Sequence, residues 1–275
     1  MSENPDQRDI VTSYSDHAAD YQRQENLTSC WAGPTRWAIN NLRVRPDNQV
    51  VVDVGCGTGD AILELVKSSG QNQEFIGIEP AEQMRLRAKQ HLQSHRNAKV
   101  IDGRFEDLPF KSGSVDYLFS ILAFHWTTDV DRSIGEIKRV LKPQGECDLF
   151  FTGRHTGRQF TRKTTPVFLK YLGPGLLRSA RLRQHLTLES TRKSFGRHFD
   201  DDRLTVTESS KVYYDDLDGH WSWWVARAAG HFHAVDVQRR HQCNQEIRQA
   251  MSQLEEEQGI PYTVHLIHVS LTQPD

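Results

Sequence analysis

The stretch Val50–Asp60, VVVDVGCGTGD, constrains this chain more than any other. An apolar run, Val50–Val54, leads into Gly55, Gly57 and Gly59. Such a run reads as a buried parallel strand feeding a helix. The backbone must turn tightly there and leave room for a ligand to approach the main chain, and residues without a Cβ permit both. The helix beyond offers unpaired N–H groups at the positive end of its dipole.

The same rhythm continues downstream. Spacing predicts a helix over Thr58–Lys67, with Ile62, Leu63, Leu65 and Val66 inward, stopped at Gly70. Glu74–Glu79 reads as a second strand, Ala81–Leu92 as a helix, Ala98–Ile101 as a third strand and Val115–Leu122 as a central fourth. Asp129–Leu141 is an amphipathic helix ended by Lys142-Pro143-Gln144-Gly145, before a fifth strand at Glu146–Phe151. This βαβ alternation predicts an α/β fold with a doubly wound parallel sheet. Beyond Phe151 the pattern loosens. Thr164–Leu188 reads as a helix interrupted by Gly173-Pro174-Gly175, and Leu204–Val212 and Tyr262–Leu271 as strands, with helices at about Asp215–Gly230 and Val235–Glu257 between them.

Composition excludes several classes. At 25% charged and 37% hydrophobic residues the chain is globular, and no run of eighteen apolar residues is present. The N-terminal segment MSENPDQRDIVTSYSDHAAD lacks a signal-peptide core, and its first fifteen or so residues read as mobile. Cys30, Cys56, Cys147 and Cys243 lack redox or metal spacing and suit a reducing cytoplasm. Pairs such as His231/His233, His241/Cys243 and His265/His268 do not amount to a metal site, and the last pair, at odd spacing on a strand, faces opposite sides. The net charge of −2 conceals an uneven distribution. Thr152–Phe199 holds eleven Lys or Arg against Glu189 alone, so that segment carries +10 and the remainder −12.

The glycine turn also selects its ligand. In a dinucleotide fold a third glycine follows three places after the second, but here that position is Asp60, which repels pyrophosphate. A ligand with a carboxylate and an ammonium fits better, namely the methionine end of S-adenosyl-L-methionine. Glu79 follows twenty residues after Gly59, at the end of the second strand, where a carboxylate can accept both ribose hydroxyls.

With these residues in view, the chain resembles the class I S-adenosylmethionine-dependent methyltransferases, of the type 11/25-like kind. The resemblance covers about Tyr14–Phe151 and rests on the glycine turn, GRFEDLPF (Gly103–Phe110), SVDYLFSILAFHW (Ser114–Trp126) and EIKRVLKPQGE (Glu136–Glu146). It implies a Rossmann-like seven-stranded sheet with the last strand antiparallel, plus a helical cap. The implied division is N-terminal cap helices over 1–45, a cofactor-binding core over 46–151 and a helical substrate cap over 152–275. The cap segment would include the last two core strands, at about 203–212 and 262–271. It further implies that Asp53 and Gly55 help hold the methionine ammonium within the turn Cys56, Gly57 and Gly59. Glu79 would bind ribose beside Pro80, Met84 would pack on adenine, and Ser120 and Ile121 would flank the methionyl part. The family places Asp after the glycine of its third motif, whereas Arg104 stands here and cannot accept from the adenine amino group. The Phe105 main chain and Glu106 are the substitutes.

Methyl transfer from a sulfonium depends on positioning and desolvating an acceptor in its reactive protonation state. Phe124, His125 and Trp126 follow the fourth strand, so His125 and Trp126 are the catalytic candidates. His125 is a general base, a donor to an anionic acceptor, or a packed residue. The motif AFHW and the opening YSDHAADY resemble methyltransferases that esterify small carboxylic acids, including those acting on trans-aconitate, a malonyl thioester and juvenile hormone acid. By that likeness Tyr14, Tyr21, Gln24, Trp31, Arg154, His220, Trp221 and Trp224 are substrate candidates, with Trp223 pointing away from the Trp221/Trp224 face. The tryptophans either anchor a cap helix or wall an apolar pocket.

The sequence therefore predicts a cytoplasmic enzyme methylating a small molecule, anionic or carrier-bound, on an oxygen of an acid. The alternatives are methylation at carbon or nitrogen of a quinone or natural product, and a non-catalytic cofactor-binding protein. The basic segment can attract an anionic acid, an acidic carrier or RNA, of which RNA is least favoured.

Overall fold

The computed structural model describes residues 11–12, 14–15, 29–68, 72–176, 184–227 and 234–274. The chain divides into two units. The larger comprises Thr35–Gly153, Gln184–Glu208 and Leu266–Asp275, and the smaller comprises Met1–Pro34, Arg154–Arg183 and Ser209–His265.

The larger unit is built on parallel strands β1 (Val50–Val54), β2 (Glu74–Ile78), β3 (Ala98–Ile101), β4 (Val115–Ile121) and β5 (Leu141–Thr152). β7 (Ile260–Thr272) runs antiparallel to β5, from Thr152↔Leu266 to Glu146↔Thr272. With β6 (Leu204–Asp215) at the edge, the order is β3-β2-β1-β4-β5-β7-β6. The chain steps outward from β1 to β3 and resumes on the other side at β4. The carboxyl ends of β1 and β4 therefore form a topological switch point, where open α/β sheets bind ligands.

Strand alternation explains the two cores. Val52, Val54, Leu118, Ile134 and Phe151 bury on one side, and Val51, Ile62, Phe75 and Phe119 on the other. The helices are α1 (Ala32–Asn40), α2 (Asp60–Ser68), α3 (Glu82–Leu92) and α4 (Val130–Val140). The Asp129 side chain caps α4 by accepting from the Arg132 amide.

β5 starts earlier than the sequence predicts. Leu141 already pairs with Val115, and the ladder then shifts register before Glu146 meets Tyr117. The Lys142–Gly145 segment is absorbed as an irregularity in the strand, with Gln144 at φ 62°.

One buried polar group organises this unit. Asp148 on β5 is fully buried and accepts from Tyr117 Oη at 2.6 Å and Arg43 Nε at 2.8 Å through Oδ2. Its Oδ1 lies 2.8 Å from His268 Nε2. Arg43 also reaches Glu146 and the carbonyls of Cys147 and Leu271. Burial raises the Asp148 pKa, but these bonds outweigh it and hold the carboxyl below its ordinary value.

Helices continue in α5 (Arg158–Leu172), α6 (Leu188–Phe195), α7 (Leu217–Arg227) and α8 (Arg240–Ser252). The sequence predicts a helix through to Leu188 and none between it and the strand at Leu204. Thr187 and Ser190 instead form a capping box that starts α6. In the smaller unit α5 packs on α8, and Phe160 and Trp223 are almost wholly buried.

Candidate functional site

The glycine turn sits at the carboxyl end of β1, held from below by β2. The amides of Gly55 and Cys56 both donate to the Ile78 carbonyl, at 2.8 and 3.1 Å. Gly55 has φ +76°, and a Cβ built on it would stand 2.3 Å from the Ala123 Cβ. Gly57 has φ +56°, and among the described residues no heavy atom lies within 4 Å of a Cβ built there. The turn is thus closed against β4 at Gly55 and open at Gly57. Asp60 opens α2 and accepts from the Thr58 hydroxyl.

Glu79 joins two turns. Its Oε2 accepts from the Gly57 amide at 2.8 Å and its Oε1 from the Ala81 amide at 2.9 Å. A carboxylate has about four lone-pair positions, so capacity for further donors remains. Burial pushes the Glu79 pKa up to about 7, against the opposing pull of both amides and Arg85. Asp53 is buried as well, and its Oδ1 has no hydrogen-bond partner among the described residues. Burial, then the Glu79 charge, raises its pKa well above the ordinary value. Burial likewise raises the Cys56 thiol. Two desolvated carboxyl groups at a strand edge favour a ligand that brings hydrogen-bond donors or positive charge.

Other predicted positions are more varied. Met84 is buried on α3 and Pro80 is half-buried. Ser120 donates to the Val54 carbonyl at 2.7 Å, which ties β4 to β1, and Ile121 is half-buried beside it. Arg104 is half-buried, and its carbonyl accepts from the Asp107 amide. The Phe105 ring meets Phe124 edge-on at 5.1 Å. Glu106 Oε1 takes the Thr127 and Thr128 hydroxyls and the Thr128 amide, at 2.7, 2.9 and 2.6 Å. Burial raises its pKa, yet these bonds bring it below the ordinary value. That oxygen braces the loop before α4.

His125 and Trp126 lie on a 3-10 turn, Phe124–Trp126, after β4. His125 is buried, its carbonyl accepts from the Gln184 amide, and its ring centre is 4.9 Å from that of Trp126. Leu122, just before this turn, has φ +58°, unusual without glycine. Arg85 was not singled out in the sequence; its Nη1 donates to the carbonyls of Glu79 and Pro80 at 2.8 and 3.0 Å. A basic residue facing the strand-end acid was the signal available.

The described substrate candidates all belong to the smaller unit and differ in burial. Tyr21 and Gln24 lie outside the described residues, Tyr14 is half-buried and Arg154 is exposed. Trp31, His220 and Trp224 are buried in the smaller unit. Trp223 does not point away: it is 1% exposed, whereas Trp221 is only half-buried. Its ring packs against Tyr262 and Trp31 at 4.8 and 5.7 Å.

Comparison with known proteins places this geometry. Residues 52–148 match the family model described as a methyltransferase domain. A demethylmenaquinone methyltransferase of Staphylococcus aureus (strain JH9) is 32% identical over 136 residues, 50% of this chain and 56% of that protein. The chain spans about half the length of the curated relatives it matches. Among solved structures, the YcgJ protein of Bacillus subtilis aligns at TM-score 0.60 and 19% identity, covering 89% of this chain and 99% of that one. The [4+2]-cyclase SpnF aligns at TM-score 0.58 and 15% identity over 100% and 99%. These two share the fold.

S-adenosylmethionine is the cofactor of this domain class, and the residues present fit it. The unpartnered Asp53 oxygen suits an ammonium, the remaining Glu79 capacity suits ribose hydroxyls, and the space over Gly57 admits a ligand close to the main chain. Among the described residues no helix is long and apolar enough to cross a membrane.

Proposed function

We propose that the chain transfers the methyl group of S-adenosylmethionine to a small organic acceptor. The carrying observation is Glu79, which locks the Gly57 turn to the end of β2 while keeping acceptor capacity. In this reading Glu79 holds the ribose, Asp53 and Gly55 hold the ammonium, and Met84 packs on adenine. When bound, the cofactor supplies a methyl group on a positively charged sulfur. The chain's own task is to position the acceptor and exclude water. Its four buried thiols suit a reducing cytoplasm.

Two acceptor chemistries remain in play. The likeness to carboxyl methyltransferases supports a carboxylic acid, which is already anionic at neutral pH and needs no base. The name of the Staphylococcus relative supports a quinone-type acceptor, whose hydroxyl-bearing reduced form needs a base, and His125 is the candidate for that role. Calorimetric titration with S-adenosylhomocysteine tests the common core, and no binding at millimolar ligand overturns it. A pH–rate profile then separates the two. A limb rising with pH and lost in His125→Ala indicates the hydroxylated ring, and a flat profile near neutrality indicates the carboxylate.

A further inference from the structure

The smaller unit holds a group of aromatic rings that the cofactor site does not use. Phe160 on α5, His220 and Trp223 on α7, Tyr262 on β7 and Trp31 are linked by ring-centre distances of 4.8–6.3 Å. Most of these contacts are edge-to-face, the arrangement aromatic rings prefer. On α7, His220 Nδ1 and Trp223 Nε1 have no hydrogen-bond partner among the described residues. Their side chains are 0% and 1% exposed, so bulk water does not serve them. Buried polar atoms without partners are costly and rare, and such a pair calls for an explanation.

The two atoms differ in kind. His220 Nε2 lies 2.7 Å from the Ile260 carbonyl, and that contact requires the proton on Nε2. In the neutral ring Nδ1 is therefore an acceptor. Burial lowers the imidazole pKa against the pull of Asp215 and Asp216, which favours the neutral form. Trp223 Nε1 can only donate. His220 Nδ1 and Trp223 Nε1 thus offer one unmet acceptor and one unmet donor among packed aromatic rings. A carboxylate brings acceptors alone: it would leave His220 Nδ1 unmet and set lone pair against lone pair. A hydroxyl brings both halves, since its O–H donates and its oxygen accepts.

We propose that this cluster binds a neutral aromatic ring bearing a hydroxyl group, its O–H donating to His220 Nδ1 and its oxygen accepting from Trp223 Nε1. This binding does not depend on the methyltransferase reading above. Titration of the full chain, followed by calorimetry, with 1-naphthol, 1-naphthoate and naphthalene tests it. The expected result is affinity for 1-naphthol at least about tenfold above both others, as one buried hydrogen-bonding group confers. Trp223→Phe and His220→Phe should each abolish that preference, with S-adenosylhomocysteine binding as the check that the variants are folded. Equal or tighter binding of 1-naphthoate, no binding of 1-naphthol, or a preference unchanged in Trp223→Phe overturns the proposal. If the variants fail to fold, the three probes on the unaltered chain still decide. Failure of the unaltered chain to bind S-adenosylhomocysteine would defeat the methyltransferase reading and leave the naphthol result standing.

Discussion

Alanine substitution at Gly57 and Gly55 separates cofactor space from fold. Both glycines have positive φ, +56° and +76°, so each alanine incurs the left-handed penalty of about 1 kcal/mol. At Gly57 nothing further is met within 4 Å among the described residues. At Gly55 the new methyl would stand 2.3 Å from the Ala123 Cβ, and forcing β4 and the turn apart adds about 1–3 kcal/mol. A protein of this size loses about 2–4 °C of Tm per kcal/mol. Gly57→Ala should therefore lower Tm by roughly 2–4 °C, and Gly55→Ala by roughly 5–15 °C. Binding should reverse the order of interest. Alanine at 57 keeps the amide that Glu79 accepts, yet its methyl fills the space over the turn. Affinity for S-adenosylhomocysteine should fall at least about tenfold in Gly57→Ala, equivalent to about 1.4 kcal/mol. Scanning fluorimetry reads the first quantity and titration calorimetry the second. Undiminished affinity in a stable Gly57→Ala protein would refute the assignment of that space to the cofactor. Equal Tm values for the two variants would refute the rigidity of the Ala123 contact.

Three further outcomes are expected. Glu79 titrates near 7 in the free chain, above its ordinary 4.5, and a ligand that donates to the carboxylate favours the anion, so binding releases its proton. S-adenosylhomocysteine affinity should then rise with pH up to about 7 and level off above, while Glu79→Gln binds weakly with a flatter profile; a wild-type affinity flat across neutrality sinks this. Asp148→Ala leaves Arg43, His268 and Tyr117 without their common partner and should cost about 3–5 kcal/mol in urea unfolding. The Asp148 pKa is lowered, so its contribution is present above the unfolded pKa of about 4 and is lost as acid drives the pH below that; a cost under about 1 kcal/mol argues against it. Glu106→Ala should lower Tm while leaving S-adenosylhomocysteine affinity within about threefold, about 0.7 kcal/mol; the opposite pattern makes Glu106 the adenine acceptor.

The parallel sheet was legible because its signals are local. The β1 run, the glycine turn and the strand-end Glu79 lie close together in sequence, and the α4 cap is a single aspartate at the expected place. Longer-range effects were not legible. Pro143 and Gly145 punctuate the sequence like a loop, but pairing of Leu141 with Val115 draws them into β5. Helical spacing put Trp221 and Trp224 on one face, whereas burial of Trp223 follows from Phe160, Tyr262 and Trp31, which the chain supplies from three distant places. Glu106 is a candidate for adenine in the sequence, and nothing local announces that two threonines some twenty residues on donate to its Oε1. Asp148 sits in an apolar strand, and no local pattern announces that its partners are at 43, 117 and 268.

That last group bears on the order in which the fold can assemble. A carboxylate is costly to take out of water until its hydrogen-bond partners are in place, and here they come from an early linker, a central strand and a strand near residue 268. During synthesis β1 to β5 emerge well before β7, so in that interval Asp148 has Arg43 and Tyr117 within the chain but lacks His268, and the neighbouring edge of β5 is open. Closing the contact demands long loop closures, which slow the final step and make it all-or-none. The half-made sheet is then the species most exposed to wrong pairing, and arrival of His268 is the event that ends that exposure.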